Sequence, residues 1–283
     1  MLVVKEKHEL RTAIRRARQA GRTIGLAPTM GALHAGHVSL VEAARAAGDF
    51  VTATIFVNPT QFGPHEDFER YPRTLEADLK ALDAAGADLV FVPDRSEVYR
   101  PEHATFVTVG GVAEPLEGAA RPGHFQGVAT VVLKLFNMVA PDRAYFGQKD
   151  YQQTLVVRRM TADLDLPIEI RVCPTIREPD GLAMSSRNAY LTGNERRQAT
   201  VLYRSLKRAQ ELVKGGQTSA DAVRQAMRSS FAETPDVAIE YMALADRDTL
   251  AELAQIDRPA VAAVAARVGK TRLIDNVFLG DER

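Results

Sequence analysis

Over its first two thirds the chain alternates short β-branched, apolar runs with segments whose apolar residues recur at helical spacing, the rhythm of a parallel sheet joined by crossover helices. Five runs predict strands: Thr23 to Ala27, Val51 to Val57, Asp88 to Val92, Ala144 to Phe146 and Ile168 to Val172. Between them the pattern predicts helices over Val38 to Ala47, Thr74 to Ala85 and Gly127 to Val139, stopped by Gly48, Gly86 and Pro141 respectively. A fourth is predicted over Asp150 to Asp163, with Asp150 as its N-cap. Near Thr175 the pattern changes. Two polar-faced helical segments, about 193–214 and 218–232, are split by Gly215 and Gly216. Three β-rich runs then follow without regular crossovers: Val237 to Leu244, Ala260 to Arg267 and Arg272 to Phe278. The expected organisation is an α/β parallel-sheet domain over 1–175 and a smaller C-terminal α+β domain over 176–283.

Composition narrows the function classes. At 283 residues the chain suits two domains, and 46% hydrophobic with 25% charged residues is ordinary for a packed globule. Lys and Arg number 36, as do Asp and Glu, so no net charge draws the chain to nucleic acid or an anionic membrane. Cys173 is the single cysteine, which excludes an internal disulfide and a four-cysteine zinc site and suits a reducing cytoplasm. The N-terminus turns charged and amphipathic before any signal-like apolar stretch develops. Apolar runs such as Val261 to Ala266 fall far short of the roughly 20 residues a membrane span needs. Trp is absent, and 6% aromatics are too few for a base-stacking platform.

Candidate chemistry concentrates in four stretches. Pro28-Thr-Met30-Gly31-Ala-Leu-His34-Ala-Gly36-His37 stands between the first strong strand and a helix, where unpaired backbone N–H groups and the helix dipole favour phosphate. Gly31 and Gly36 permit close backbone approach. His34 and His37, three residues apart, would share one face if the helix starts near His34. Met184-Ser185-Ser186-Arg187 gathers two hydroxyls and a guanidinium as anion donors. Gly147-Gln148-Lys149-Asp150 puts a mobile positive charge at the mouth of a strand-to-helix turn. Finally, Asn58-Pro-Thr-Gln61 places an amide after the second strand, and Gln153 is a second amide able to reach a polar substrate.

With PTMGALHAGH, FVNPTQFGPHEDFERYPRT, RPGHFQGVATVV, YFGQKDYQQ and GLAMSSRNAYL in that order, the chain resembles the pantothenate synthetase family, the ATP-dependent pantoate–β-alanine ligases of the HxGH nucleotidyltransferase superfamily. Thr60 departs from the pattern, in which methionine is usual. The resemblance implies a Rossmann-like ATP- and pantoate-binding domain, with the C-terminal domain as a lid. It implies that pantoate is adenylated by ATP, releasing pyrophosphate, and that β-alanine then displaces AMP. Carried over residue by residue, it makes His34, His37 and Lys149 catalytic. Met30, Gly31, His34, His37, Gly147, Lys149, Asp150, Ile176, Met184, Ser185, Ser186 and Arg187 would bind ATP. Gln61, Gln153 and Met30 would bind pantoate, and Gln61 also β-alanine. Mg²⁺ would arrive on the ATP phosphates, with no protein metal site. A cytoplasmic homodimer acting on small molecules, without nucleic acid or membrane, completes the expectation. Two rivals are another adenylate-forming enzyme on the same scaffold, including a class I aminoacyl-tRNA synthetase-like fragment, and a nucleotide-sensing module without turnover.

Overall fold

The computed structural model describes residues 1–64 and 66–280, and these divide into two compact units. The first comprises Met1–Gln148 and Gln152–Pro174; the second comprises Lys149–Tyr151 and the chain from Thr175 onward. The three residues Lys149–Tyr151 thus belong with a unit whose remainder begins more than twenty positions later, a grouping that strand and helix periodicity gives no means of reading.

The first unit is built on six parallel strands: β1 (Leu2–Val4), β2 (Ile24–Thr29), β3 (Phe50–Ile55), β4 (Leu89–Phe91), β5 (Arg143–Gly147) and β6 (Glu169–Cys173). Their order in the sheet is β1-β4-β3-β2-β5-β6. The chain builds outward from β2 in one direction, then returns to lay β5 and β6 on the other side. The carboxyl ends of β2 and β5 therefore flank the topological switch point, where open α/β sheets bind ligands. Leu2–Val4 was not among the expected strands, because three apolar residues ahead of a charged run carry no readable period.

Helices α1 (Lys7–Gln19), α2 (Ala35–Ala46), α3 (Leu75–Ala85), α4 (Arg95–Val98), α5 (Glu117–Ala120), α6 (His124–Val139) and α7 (Tyr151–Asp163) accompany this sheet. Helix α6 starts three residues earlier than its apolar period suggests, just after Gly123 at φ 81°. Leu10 and Ile14 of α1 and Val128, Val132 and Leu135 of α6 share one core with Ile24, Leu26, Leu89 and Phe146. Leu40 and Val41 of α2 and Leu82 of α3 share another with Ala27, Val51, Val90 and Tyr145, and Cys173 is buried there as a free thiol that burial pushes above its usual pKa. Asp49 is buried beside the sheet and accepts from Arg143 Nη1 (2.6 Å) and Tyr145 Oη (2.7 Å). Gly25 leaves it room, since a Cβ there would stand 2.6 Å from Asp49 Oδ2.

In the second unit α8 (Gly193–Ala199), α9 (Val201–Lys214) and α10 (Ala220–Ser229) accompany an antiparallel sheet of β7 (Val237–Asp246), β8 (Ala260–Val268) and β9 (Thr271–Leu279), ordered β7-β8-β9. The single helix expected over 193–214 is two. Thr200 ends α8 and starts α9, and its hydroxyl donates to the Arg197 carbonyl (2.8 Å), the local side-chain competition by which Thr disturbs helices. Leu202, Leu206, Val223 and Met227 pack with Leu244, Val264, Leu273 and Val277 to form this unit's core.

Candidate active site

Thr29 ends β2 with its hydroxyl donating to Thr54 O (2.6 Å) and accepting from Gly31 N (3.3 Å). The chain then turns through Gly31 at φ 84° and Ala32 at φ 50°. Asp78, buried on α3, holds this left-handed turn: its carboxylate accepts from Ala32 N (3.0 Å), Leu33 N (2.8 Å) and Thr74 Oγ1 (3.1 Å). A Cβ on Gly31 would lie 3.0 Å from that carboxylate and 3.1 Å from Ile55. His34 is the N-cap of α2, and Gly36 N donates to its Nδ1 at 3.1 Å. His37 closes the reciprocal half of the capping box, accepting from His34 N through its own Nδ1 (3.4 Å).

The two rings lie 4.1 Å apart by centroid. Because both Nδ1 atoms accept backbone hydrogens, a neutral imidazole at either position carries its proton on Nε2. Both histidines therefore present Nε2–H donors. The backbone does not play the part the sequence suggested. Gly31, Ala32, Leu33, His34, Gly36 and His37 all direct their N–H groups to protein acceptors. These backbone hydrogens are committed within the protein, so the turn is not an open nest of amides.

The turn Pro59–Gln61 is the second element of the site. Asn58, buried, caps it: its Oδ1 accepts from Thr60 N (3.3 Å), Thr60 Oγ1 (2.9 Å) and Tyr99 Oη (2.9 Å). Its Nδ2 donates to Gln61 Oε1 (3.0 Å) and Gly127 O (3.2 Å). Gln61 Nε2 in turn reaches Met30 Sδ at 3.2 Å, so the two residues expected to face pantoate meet. Gly127 on α6 is required here, because a Cβ would fall 2.2 Å from Thr60 O.

A charged network holds the same turn from behind. Arg121 makes a bidentate pair with Glu66 (both 2.6 Å) and places Nη2 3.3 Å from Gln61 O. His124 lies between Arg121 Nη1 (3.0 Å from Nε2) and Gln61 O (2.9 Å from Nδ1). A guanidinium only donates and a carbonyl only accepts, so His124 must accept at Nε2 and donate from Nδ1. Burial, then the Arg121 charge, push its pKa down to about 4. Burial works to raise the Glu66 carboxyl, but Arg121's hydrogen bonds and charge more than reverse this and hold it below the usual range. Sequence reading gave no role to Asn58, Glu66, Asp78, Arg121 or His124. Asp78, Arg121 and His124 are spaced too far from the motif they serve for any local pattern to join them to it, and Glu66, though only five positions beyond Gln61, acts on it through Arg121.

A neutral His124 has a measurable consequence. In the unfolded chain it would take up a proton near pH 6.5, while in the fold it resists until about pH 4. Its contribution to stability is complete above pH 6.5 and drains away as the pH falls toward 4, a loss of about 1 to 3 kcal/mol. Urea titrations across that range should show the slope, and His124→Asn should flatten it. An unchanged slope in the variant would assign the effect to another group.

In the second unit, Lys149 Nζ sits 3.5 Å from Asp150 Oδ1. Asp150 ends the short turn Gln148–Asp150 and directly precedes α7, the N-cap position expected of it. Ile176 and Met184 are joined by Met184 N donating to Ile176 O (3.0 Å), and Arg177 pairs with Ala183 in an isolated bridge. Ser185 caps the turn Ser186–Tyr190, its hydroxyl accepting from Arg187 N (3.3 Å). Asn188 Nδ2 ties the turn back to Ala183 O (3.1 Å). Gly147 ends β5 in the first unit, as Thr29 ends the adjacent β2. Gln153, half-buried on α7, follows Gln152, whose amide is used structurally on Val112 O, Pro115 O and Glu117 N. Successive helical side chains diverge by about 100°, so Gln153 points elsewhere.

The model of the family described as pantoate-beta-alanine ligase matches residues 2–278. The chain belongs to the pantoate–β-alanine ligase family. It is 59% identical over 279 residues to the pantothenate synthetase of Roseiflexus sp. (strain RS-1), covering 99% of both. A solved pantothenate synthetase from Thermus thermophilus superposes with a TM-score of 0.94 at 48% identity, covering 98% of this chain and 99% of that one. A pantoate–β-alanine ligase from Francisella tularensis, crystallised with Beta-gamma ATP and β-alanine, gives 0.81 at 32% identity, covering 98% and 97%. Among the described residues no helix is long and apolar enough to cross a membrane.

Proposed function

We propose that this ligase-family chain condenses pantoate with β-alanine through a pantoyl adenylate. A pantoate carboxylate oxygen attacks the α-phosphorus of ATP and pyrophosphate departs. The β-alanine amine then attacks the acyl carbon, AMP leaves with the bonding pair, and the amine proton is lost to solvent. A free carboxylate is a poor acylating agent, so the protein's work in the first step is positioning and charge stabilisation. The observation that carries this reading is the pair of imidazoles at the start of α2, each with Nδ1 accepting a backbone hydrogen so that Nε2 carries the ring proton. Donors fixed in this way suit oxygens that gain negative charge as the phosphoryl group transfers.

In this reading Lys149, Ser185, Ser186 and Arg187 serve the departing pyrophosphate. Met30, Gly31, Gly147, Asp150, Ile176 and Met184 line the ATP site. The amides of Gln61 and Gln153 hold pantoate, with Gln61 also meeting β-alanine. Among the described residues no three His, Cys, Asp or Glu side chains gather to hold a metal ion. Mg²⁺ would be carried on the phosphate oxygens of ATP, where it offsets their charge. The lid role for residues 176–283, a homodimer and a cytoplasmic setting belong to the same proposal.

The decisive experiment is exchange of labelled pyrophosphate into ATP with pantoate but without β-alanine, followed by AMP release when β-alanine is added. Exchange supported by some other carboxylic acid in place of pantoate would redirect the substrate, and no exchange with any acid would leave a nucleotide sensor. Within this reading, Gln61→Ala or Gln153→Ala removes hydrogen bonds to a small buried ligand and should cost about 1 to 3 kcal/mol, or roughly 5-fold to 150-fold in pantoate affinity. Isothermal titration should find ATP affinity nearly unchanged. Equal losses for ATP and pantoate would refute the assignment.

A further inference from the structure

Strand β9 carries two consecutive buried polar residues, Asp275 and Asn276, in an otherwise apolar stretch. Successive side chains of a strand face opposite ways. Leu273, Val277 and Leu279 belong to the helix-covered core, so Asp275 shares that face and Asn276 shares the other with Phe278. On the Asn276 face lie the three residues Lys149–Tyr151. Asn276 Nδ2 donates to the Lys149 carbonyl at 2.9 Å. Phe278 meets the Tyr151 ring edge-on with centroids 5.1 Å apart, and Tyr151 Oη donates to Arg247 O at 2.7 Å. Arg247 in turn covers Phe278 at 3.9 Å.

The Asp275 face serves the other phosphate-side segment. Its carboxylate receives Arg177 through Nη1 (2.6 Å) and Nη2 (3.0 Å) and accepts from the backbone N–H of Asn276 (2.8 Å). Arg177 lies between Ile176 and the bridge to Ala183 that leads into Met184 to Arg187. Two adjacent residues of one strand thereby anchor, on opposite sides, the segments holding Lys149 and the Ser-Ser-Arg donors. Burying an amide and a carboxylate in an apolar strand is unfavourable unless each is fully used. Leucine and valine would stabilise the strand without that penalty.

We infer that Asn276 is a positioning residue for Lys149, fixing the lysine's backbone so that its ammonium group is aimed at the departing pyrophosphate. This rests on the phosphate role given to Lys149 above. Asn276 itself touches no substrate and acts through the carbonyl it holds. Its influence therefore belongs to adenylate formation and disappears once the adenylate exists.

The test is single-turnover adenylate formation beside β-alanine attack on chemically supplied pantoyl adenylate, for Asn276→Ala, Lys149→Ala and the double variant. Asn276→Ala should slow adenylation about tenfold and leave the second step within about twofold, the size of one lost hydrogen bond. In the Lys149→Ala background it should add less than about twofold, because coupled residues are not additive. Asn276→Ser, which keeps a shorter donor, should fall between Ala and the native residue and guards against a folding defect in the alanine variant. Equal slowing of both steps, or the full tenfold loss persisting without the lysine side chain, would overturn the inference and leave Asn276 a structural residue. Should Lys149→Ala adenylate normally, the role of Lys149 falls first and the inference with it. Normal adenylation by Asn276→Ala beside a crippled Lys149→Ala would reject the inference alone.

Discussion

Lys149→Ala is expected to lower the rate of adenylate formation by about 10² to 10³, the effect of removing one donor needed more in the transition state than in the ground state. Pyrophosphate gains charge as the bond to the α-phosphorus breaks, and a mobile ammonium is suited to follow it. The half-buried side chain has Asp150 at 3.5 Å, so in the proposed role Lys149 would leave or share that contact to meet phosphate. Chemically supplied pantoyl adenylate should largely bypass the defect, since β-alanine attack releases AMP and no pyrophosphate. A rate of amine attack reduced as much as adenylation would show that Lys149 acts in both steps or holds the fold.

His37→Ala should be comparably severe and differently distributed. Its Nε2–H is fixed by the hydrogen bond that Nδ1 accepts from His34 N (3.4 Å), so the variant loses both the Nε2–H donor and half of the cap of α2. Single-turnover adenylation should drop by about two to three orders of magnitude while pantoate affinity moves by less than about threefold. The capping loss is a separate matter, of about 1 kcal/mol, and would appear as a lower melting temperature rather than a slower step. If titration found pantoate binding weakened more by His37→Ala than by Gln61→Ala, the layout of substrate and phosphate would be inverted.

The strands β2 to β6 were legible because buried parallel strands read as short apolar runs bounded by Gly and Pro, and the histidine pair was legible because both members lie in one local turn. Distant partners were harder to see. Asp78 was hidden because a carboxylate in the first turn of a helix ordinarily reads as a favourable charge near the dipole, yet here it closes a turn more than forty residues upstream. Arg121 and His124 stood inside a recognised stretch without a role, since nothing in RPGH says that its guanidinium will be taken by Glu66 and its imidazole by the Gln61 carbonyl. Asn276 was missed for a third reason. Its partner is a backbone oxygen, which leaves no trace in residue type. The helix over 193–214 was overextended because the break at Thr200 depends on a hydroxyl turning back to Arg197, an event that hydrophobic periodicity does not register.

The turn that Asp78 secures has a thermodynamic implication. Gly31 and Ala32 stand at positive φ, with Asp78 accepting from Ala32 and Leu33. Fixing a residue's backbone in a single conformation costs about 1 to 2 kcal/mol of conformational entropy, and in this turn the Asp78 contacts offset that cost as part of folding. Under the proposed function, a triphosphate reaching this turn would meet side chains already in place, and the free energy of its contacts would appear as affinity and rate instead of being consumed in ordering a loop. The same arrangement makes the turn intolerant: a side chain at Gly31 would displace Asp78 or Ile55, and a carboxamide in place of the Asp78 carboxylate would turn one of its acceptor oxygens into a donor facing another donor. Rigidity of this kind ties the geometry of the loop after β2 to the integrity of α3, more than forty residues further along the chain.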